Sequence, residues 1–151
     1  MSAGAVQSLV VASGARACAI PLSHVLETLR PLPVEALAGA PGFLRGLSVI
    51  RGKPTPVLDL RALLEEEPGT PTRFVTLRLS ERTLALAVDS VLGVRTLDRA
   101  TLATLPPLLR DASQRMVEAV GTLDARLLLV LKTGWLLPPE VLNALSRAEG
   151  S

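Results

Sequence analysis

The sequence predicts a mainly β protein. Helical periodicity is weak through most of the chain, short apolar or alternating runs recur at strand-like spacing, and Gly, Ser, Pro and charged pairs separate those runs. At 151 residues and 48% hydrophobic content, the chain has room for one compact domain, or two small packed subdomains, with a real core.

The first pair of runs, Ser8 to Ser13 and Ala17 to Ile20, flanks Ser13-Gly14-Ala15-Arg16, a hairpin turn in which Gly14 can supply a positive φ. Pro21 ends the second strand. Two conformations are then open: Ser23 caps one helical turn through Val25 and Leu26, or Val25 to Leu29 extends as an edge strand. Pro31, Pro33, Gly39 and Pro41 mark a loop enclosing at most a short helix over Val34 to Leu37. Gly46 to Arg51 and Thr55 to Leu60 read as two strands around a Gly52-Lys53-Pro54 turn, and Arg61 to Glu65 favours a helical turn. The exposed connector at 66–72, with Glu66, Glu67, Pro68, Gly69 and Pro71, is the candidate subdomain boundary.

Phe74 to Leu79 alternates, turns at Ser80-Glu81-Arg82 and returns through Thr83 to Val88, the clearest hairpin in the chain. A further pairing is expected between Met116 to Val120 and Arg126 to Leu131, across Gly121 to Ala125. Pro138 and Pro139 suit the start of a terminal helix with Val141, Leu142 and Leu145 on one stripe.

Composition excludes several chemistries. Aromatic residues are only 2% of the chain, Phe43, Phe74 and Trp135, so there is little on which to stack nucleic-acid bases. A formal charge of +2 comes from scattered Lys and Arg, with no cationic tract. Cys18 is the sole cysteine, which rules out an internal disulfide and a cysteine-rich zinc site and fits a reducing compartment. Leu127 to Leu131, five residues, is among the longest apolar runs, against the ~20 needed to span a bilayer. No signal-peptide pattern stands at the N-terminus, and a soluble cytoplasmic protein is expected.

The sole histidine, His24, lacks a Gly-x-Ser-x-Gly companion. One His, one Cys and dispersed carboxylates give no metal-ligand spacing, so no metal and no cofactor are expected. Asp59 and Asp89 end apolar strands. Asp89-Ser90 resembles the start of an aspartic-protease turn but is followed by Val91, where that turn needs glycine; carboxylates accepting backbone N–H groups at strand ends are the simpler expectation. The conspicuous stretch is Gly46 to Arg61. Arg51, at the end of an apolar strand and before Gly52, can project a rigid five-donor fork, with Glu27 in the edge segment Val25 to Leu29 as its natural partner. The pair makes either a mixed apolar and ionic binding surface or an ordinary inter-strand salt bridge.

At these residues the sequence resembles the CheW-like chemotaxis coupling proteins. Ile20-Pro21-Leu22-Ser23-His24-Val25-Leu26-Glu27 matches the family's Ile-Pro-x-x-x-Val-x-Glu, and Gly46 to Arg61 its Gly-x-x-Asn-Leu-Arg-Gly-x-x-x-Pro-Val-x-Asp-Leu-Arg. Val88 to Val94 and Gly121 to Leu137 continue the likeness in order. Departures are Val49 for the usual asparagine, Thr28 for a branched aliphatic, Cys18 at a place often aromatic and Lys132 at one often acidic or polar.

The resemblance implies two small five-stranded SH3-like β-barrels related by a pseudo-twofold, with short helices including one at the C-terminus. They form a single domain over 1–151, with subdomains joined near 66–72 and a C-terminal segment that can return to the first barrel. It further implies a non-enzymatic adaptor, recruited to membrane-associated receptor arrays, that couples the cytoplasmic tip of a methyl-accepting chemoreceptor to the regulatory domain of the histidine kinase CheA. Receptor contact would fall to Val25, Glu27, Ile50 and Arg51, and kinase contact to Arg45, Gly46, Gly52 and Pro54. The alternatives are a divergent competitor, an adaptor of a non-flagellar chemosensory pathway, or a small-ligand barrel using Asp59, Asp89 or His24.

Overall fold

The computed structural model describes residues 4–98, 100, 117–123 and 126–132. Along the chain run β1 (Ala5–Ser13), β2 (Arg16–Pro21), a 3-10 turn (Leu22–His24), β3 (Val25–Leu29), β4 (Leu44–Ile50), β5 (Lys53–Asp59) and α1 (Leu60–Leu63). Then follow β6 (Arg73–Leu79), β7 (Arg82–Val88), β8 (Ser90–Asp98), β9 (Val117–Leu123) and β10 (Arg126–Leu131). Of the two conformations left open after Pro21, the edge strand Val25–Leu29 forms; the helical turn lies earlier, at Leu22–His24, and Ser23 does not cap it. The expected pairing with Arg126 to Leu131 forms as β9–β10, but the strand runs on through the expected turn, with Gly121 opposite Leu128 and Leu123 opposite Arg126 in the ladder. The expected terminal helix after Pro138 lies outside the described residues.

Two five-stranded sheets result, in the orders β8-β1-β2-β10-β9 and β3-β6-β7-β5-β4. They share one plan. Each has a central antiparallel hairpin, β1–β2 or β6–β7, and a second hairpin, β9–β10 or β4–β5, attached through a parallel pairing of β10 with β2 or β5 with β7. An antiparallel edge strand, β8 or β3, closes the other side. The repeated order is the internal pseudo-twofold, with the strands exchanged between its halves.

The connector at 66–72 is therefore not the boundary between sheets, since it joins α1 to β6 inside the second sheet. The chain changes sheets at the 3-10 turn between β2 and β3, and again at Asp89 between β7 and β8. Pro, Gly and Glu mark an exposed loop, and exposure does not report which strands pair.

The main core lies between the sheets and takes Leu9, Val11, Cys18 and Ile20 from the first and Val75, Leu77, Leu84, Leu86 and Val88 from the second. The alternate residues of the central strands pack on the opposite faces, Ala17 and Ala19 in one cluster and Ala85 and Ala87 in another. Period-two side chains thus give β2 and β7 a face of larger apolar groups toward the main core and an alanine face away from it, while β1 and β6 put Val10 and Phe74 on the second face. Burial pushes the Cys18 thiol up to about 12, with Glu66 adding to the effect, so it is a packing group rather than a nucleophile.

The Val34 to Leu37 helix does not form. Pro31 and Pro33 favour an extended chain, and Glu35 makes an isolated bridge to Leu47, N to O 2.8 Å and O to N 2.9 Å. This crossing explains Gly46, whose φ is +141° and whose hypothetical Cβ would stand 2.0 Å from the Glu35 carbonyl oxygen. Only glycine fits there. Gly46→Ala should lower the unfolding free energy by at least about 2 kcal/mol, read as a reduced urea midpoint at unchanged slope.

Candidate protein-docking site

The β4–β5 hairpin turns one residue earlier than its Gly-Lys-Pro sequence suggests. Ile50 pairs with Lys53, so Lys53 and Pro54 belong to β5 and the turn is Arg51-Gly52, with φ of +53° and +77°. Two positive φ values in a two-residue loop suit the right-handed twist of the flanking strands. For Arg51, which has a Cβ, the conformation costs on the order of 1 kcal/mol.

That turn aims the guanidinium at Glu27 of β3. Arg51 Nε donates to Glu27 Oε2 at 3.0 Å and Nη2 to Oε1 at 2.7 Å, a two-bond fork. β3 and β4 are opposite edges of the second sheet, so the pair spans a sheet curled far enough to bring its ends together. Arg51's side chain is 79% exposed and Glu27's 31%. Hydrogen bonding to Arg51 holds the Glu27 carboxyl below the usual carboxylate range and raises Arg51 in turn. A pair this exposed contributes little to stability.

Beside it lies a cleft of about 750 Å³, lined among others by Leu26, Glu27, Ile50, Arg51, Pro54 and Thr76. Its origin is in the prolines. Pro54 and Pro56 stand opposite Val49 and Leu47, and β5 pairs with β7 only from Val57 onward. Proline has no N–H to give to a ladder, so β5 parts from β7 before Val57 and leaves a gap. On the outer edge, Val49 is 68% exposed, opposite exposed Pro54. The result is an apolar edge next to an ionic fork.

The remaining predicted site residues divide. Val25 is half-buried against the main core and Ile50 is buried with Val57 and Phe74, so both support the site from within. Arg45 is paired with Asp59 at 3.2 Å, and Gly46 is buried beneath Glu35. Gly52 and Pro54 are exposed on the hairpin. Sequence reasoning missed Leu26, Val49, Pro56 and Thr76. The two Pro residues spaced by one in a strand were the available signal, while nothing in the sequence announces the bulge at Leu26.

His24 closes the 3-10 turn, and the carboxylates have structural partners. Asp59 caps α1, accepting from the N–H of Arg61 at 3.0 Å and of Ala62 at 3.4 Å. Asp89, at the crossing between sheets, accepts a fork from Arg61, Nε to Oδ1 2.8 Å and Nη2 to Oδ2 2.7 Å, and the Gly14 N–H at 2.7 Å. Ser13 Oγ donates to Glu66 Oε1 at 2.5 Å beside it. Among the described residues, no group of three or more His, Cys, Asp or Glu could hold a metal ion, and no helix is long and apolar enough to cross a membrane.

An exposed ion fork, an apolar edge and a shallow cleft stand side by side on a twinned β framework, an arrangement suited to protein docking. Residues 7–138 match the CheW-like domain family. Protein FrzA of Myxococcus xanthus is 33% identical over 113 residues, 70% of either chain. The chemotaxis protein CheW of Helicobacter pylori is 22% identical over 117 residues, 76% of this chain and 70% of its own. The crystal structure of the scaffolding protein TtCheW from Thermoanaerobacter tengcongensis matches with a TM-score of 0.78 at 19% identity, covering 90% of this chain and 94% of that one. The chain belongs to the CheW-like domain family, a family of chemotaxis scaffolds.

The clamp at Asp89 has a pH signature. Arg61's guanidinium, and after it the Gly14 amide, hold the carboxyl below its ordinary value. With the folded pKa below the unfolded one, the stabilisation is complete above the unfolded value of about 4 and is lost as pH falls through the folded value. Asp89→Asn should remove about 1–2 kcal/mol at neutral pH and flatten the acid limb of a stability–pH profile measured by urea unfolding. The two proteins should converge in strong acid.

Proposed function

We propose that this protein is a non-catalytic adaptor that holds the cytoplasmic tip of a methyl-accepting chemoreceptor and the regulatory domain of the histidine kinase CheA in one signalling array. It would act in the cytoplasm, at the membrane-associated receptors, without a cofactor. The observation that carries this reading is the Glu27–Arg51 fork. It is solvent-facing, built on an arginine in a left-handed turn, and its contribution to stability does not exceed that backbone cost. A partner surface accounts for a feature that fold stability does not.

Glu27 and Arg51, with Leu26 beside them and Val25 and Ile50 beneath, would take the receptor tip, an amphipathic helical hairpin whose apolar face suits a cleft. The outer side of the β4–β5 hairpin would meet the kinase through Gly52, Pro54 and Val49, with Arg45 and Gly46 holding the hairpin in shape. Membership of the CheW-like family supports both assignments. Signal transfer then consists of coupled binding equilibria: the adaptor transmits a receptor state only by binding the signalling states with different affinities.

Arg51→Glu should keep the melting curve of the wild type and weaken binding of a receptor-tip fragment by at least about tenfold. Glu27→Arg should act alike, and the exchanged pair Glu27→Arg with Arg51→Glu should recover part of the loss. Full kinase activation by Arg51→Glu in an array reconstituted from receptor, kinase and adaptor would overturn the receptor assignment.

A further inference from the structure

Behind the fork stands a side chain that is itself almost hidden. β3 and β6 pair Val25 with Leu77 and Glu27 with Thr76, so Leu26 is an extra residue on β3, a bulge in the ladder. Its effect is directional. In a regular strand, neighbours face opposite sides, yet Leu26 and Glu27 both line the cleft, and Leu26 is 53% exposed. The bulge thus turns an apolar and an acidic side chain to the same surface.

Thr76 sits opposite. Its residue is buried, and its Oγ1 accepts from the Glu27 N–H at 3.2 Å and donates to the Glu27 carbonyl oxygen at 3.3 Å. One hydroxyl therefore engages both backbone polar groups of the residue that carries the fork. We infer that Thr76 is a positioning residue for the docking site, holding the β3 bulge in the register that aims Glu27 at Arg51 and sets Leu26 beside it. Without the hydroxyl, a methyl group would face an N–H and a carbonyl that have lost a partner. The relief is a one-residue slip of β3, which sends alternate side chains to the other face.

This rests on the receptor assignment of Glu27 and Arg51, so the test includes a readout independent of any partner. Thr76→Val preserves shape and removes the hydroxyl, whereas Thr76→Ser keeps the hydroxyl and removes the methyl. In Thr76→Val the Glu27 carboxyl, followed by carbon-detected NMR titration, should rise from its depressed value to the ordinary range, and receptor-tip binding should fall by about tenfold. Thr76→Ser should titrate as the wild type and bind within about twofold of it. An unchanged Glu27 titration in Thr76→Val, or a Thr76→Ser protein as altered as Thr76→Val, overturns the inference. If Arg51→Glu leaves tip binding intact, the receptor assignment fails and the Glu27 titration alone decides the role of Thr76. Should Thr76→Val not fold, hydrogen exchange on the wild type decides it: a protected Glu27 amide supports the hydroxyl bond, and an amide exchanging as freely as an unbonded edge residue overturns it.

Discussion

The Asp89 carboxylate is where the two sheets are tied. It sits at the one-residue crossing from β7 to β8, receives the Gly14 amide from the first sheet's central turn and accepts the Arg61 fork from the helix that follows β5. The Asp89 N–H donates to the Ala12 carbonyl, and the Thr72 hydroxyl donates to Asp89's own carbonyl. A charged group is economical at such a junction because one carboxylate offers several acceptor sites, where an apolar side chain would satisfy none of the turning backbone. The shared leucine core below it fills the space between the sheets, but apolar packing is poorly directional, and the charge-assisted bonds fix the register of one sheet upon the other.

The Arg61–Asp89 and Glu27–Arg51 forks thus have different work. Arg61–Asp89 is partly shielded, surrounded by further hydrogen bonds and placed at a crossing, so it orients the fold. Glu27–Arg51 is open to water and joins two edges of one sheet, so its geometry matters more than its energy. Between them runs the β4–β5 hairpin, pinned by Arg45 to Asp59 at one end and by Glu35 across Gly46, with its far turn projecting Arg51. The proposed docking surface is therefore built on strands and a tight turn rather than on a loose loop, which would keep its side chains in place before a partner arrived.

Much of this was legible in the sequence. Alternation over Phe74 to Val88 gave a hairpin because one face of each strand had to be buried, and an arginine before glycine at a strand end pointed to the fork with Glu27. Motif order led to the family. What local pattern could not reveal was partnership at long range. The 66–72 connector is polar and proline-rich because it is exposed, yet the strands on either side of it belong to one sheet. The Val34 to Leu37 segment reads as a helical turn, but both backbone polar groups of Glu35 are taken by Leu47 of β4. Thr76 reads as one more alternating residue in a strand, and its hydroxyl acquires a role only because Glu27, 49 positions earlier and next to a bulge, stands opposite. The departure at Val49 also changes meaning once its exposure is known: an apolar residue at an open edge shapes what can approach.

The exchange of strands between halves bears on how the chain is made. β1 and β2 leave the ribosome ahead of the other strands, carrying Leu9, Val10 and Val11, all destined for burial, and the first sheet contains none of the next five strands. Their flanking partners, β8 and β10, are synthesised only after the whole second sheet. At ribosomal speeds of about 5–20 residues per second, that leaves the nascent hairpin uncovered for several seconds. The second sheet has no such delay, since its five strands are consecutive. It can assemble first and offer its leucine face as the template on which the earlier hairpin waits for the strands that complete it.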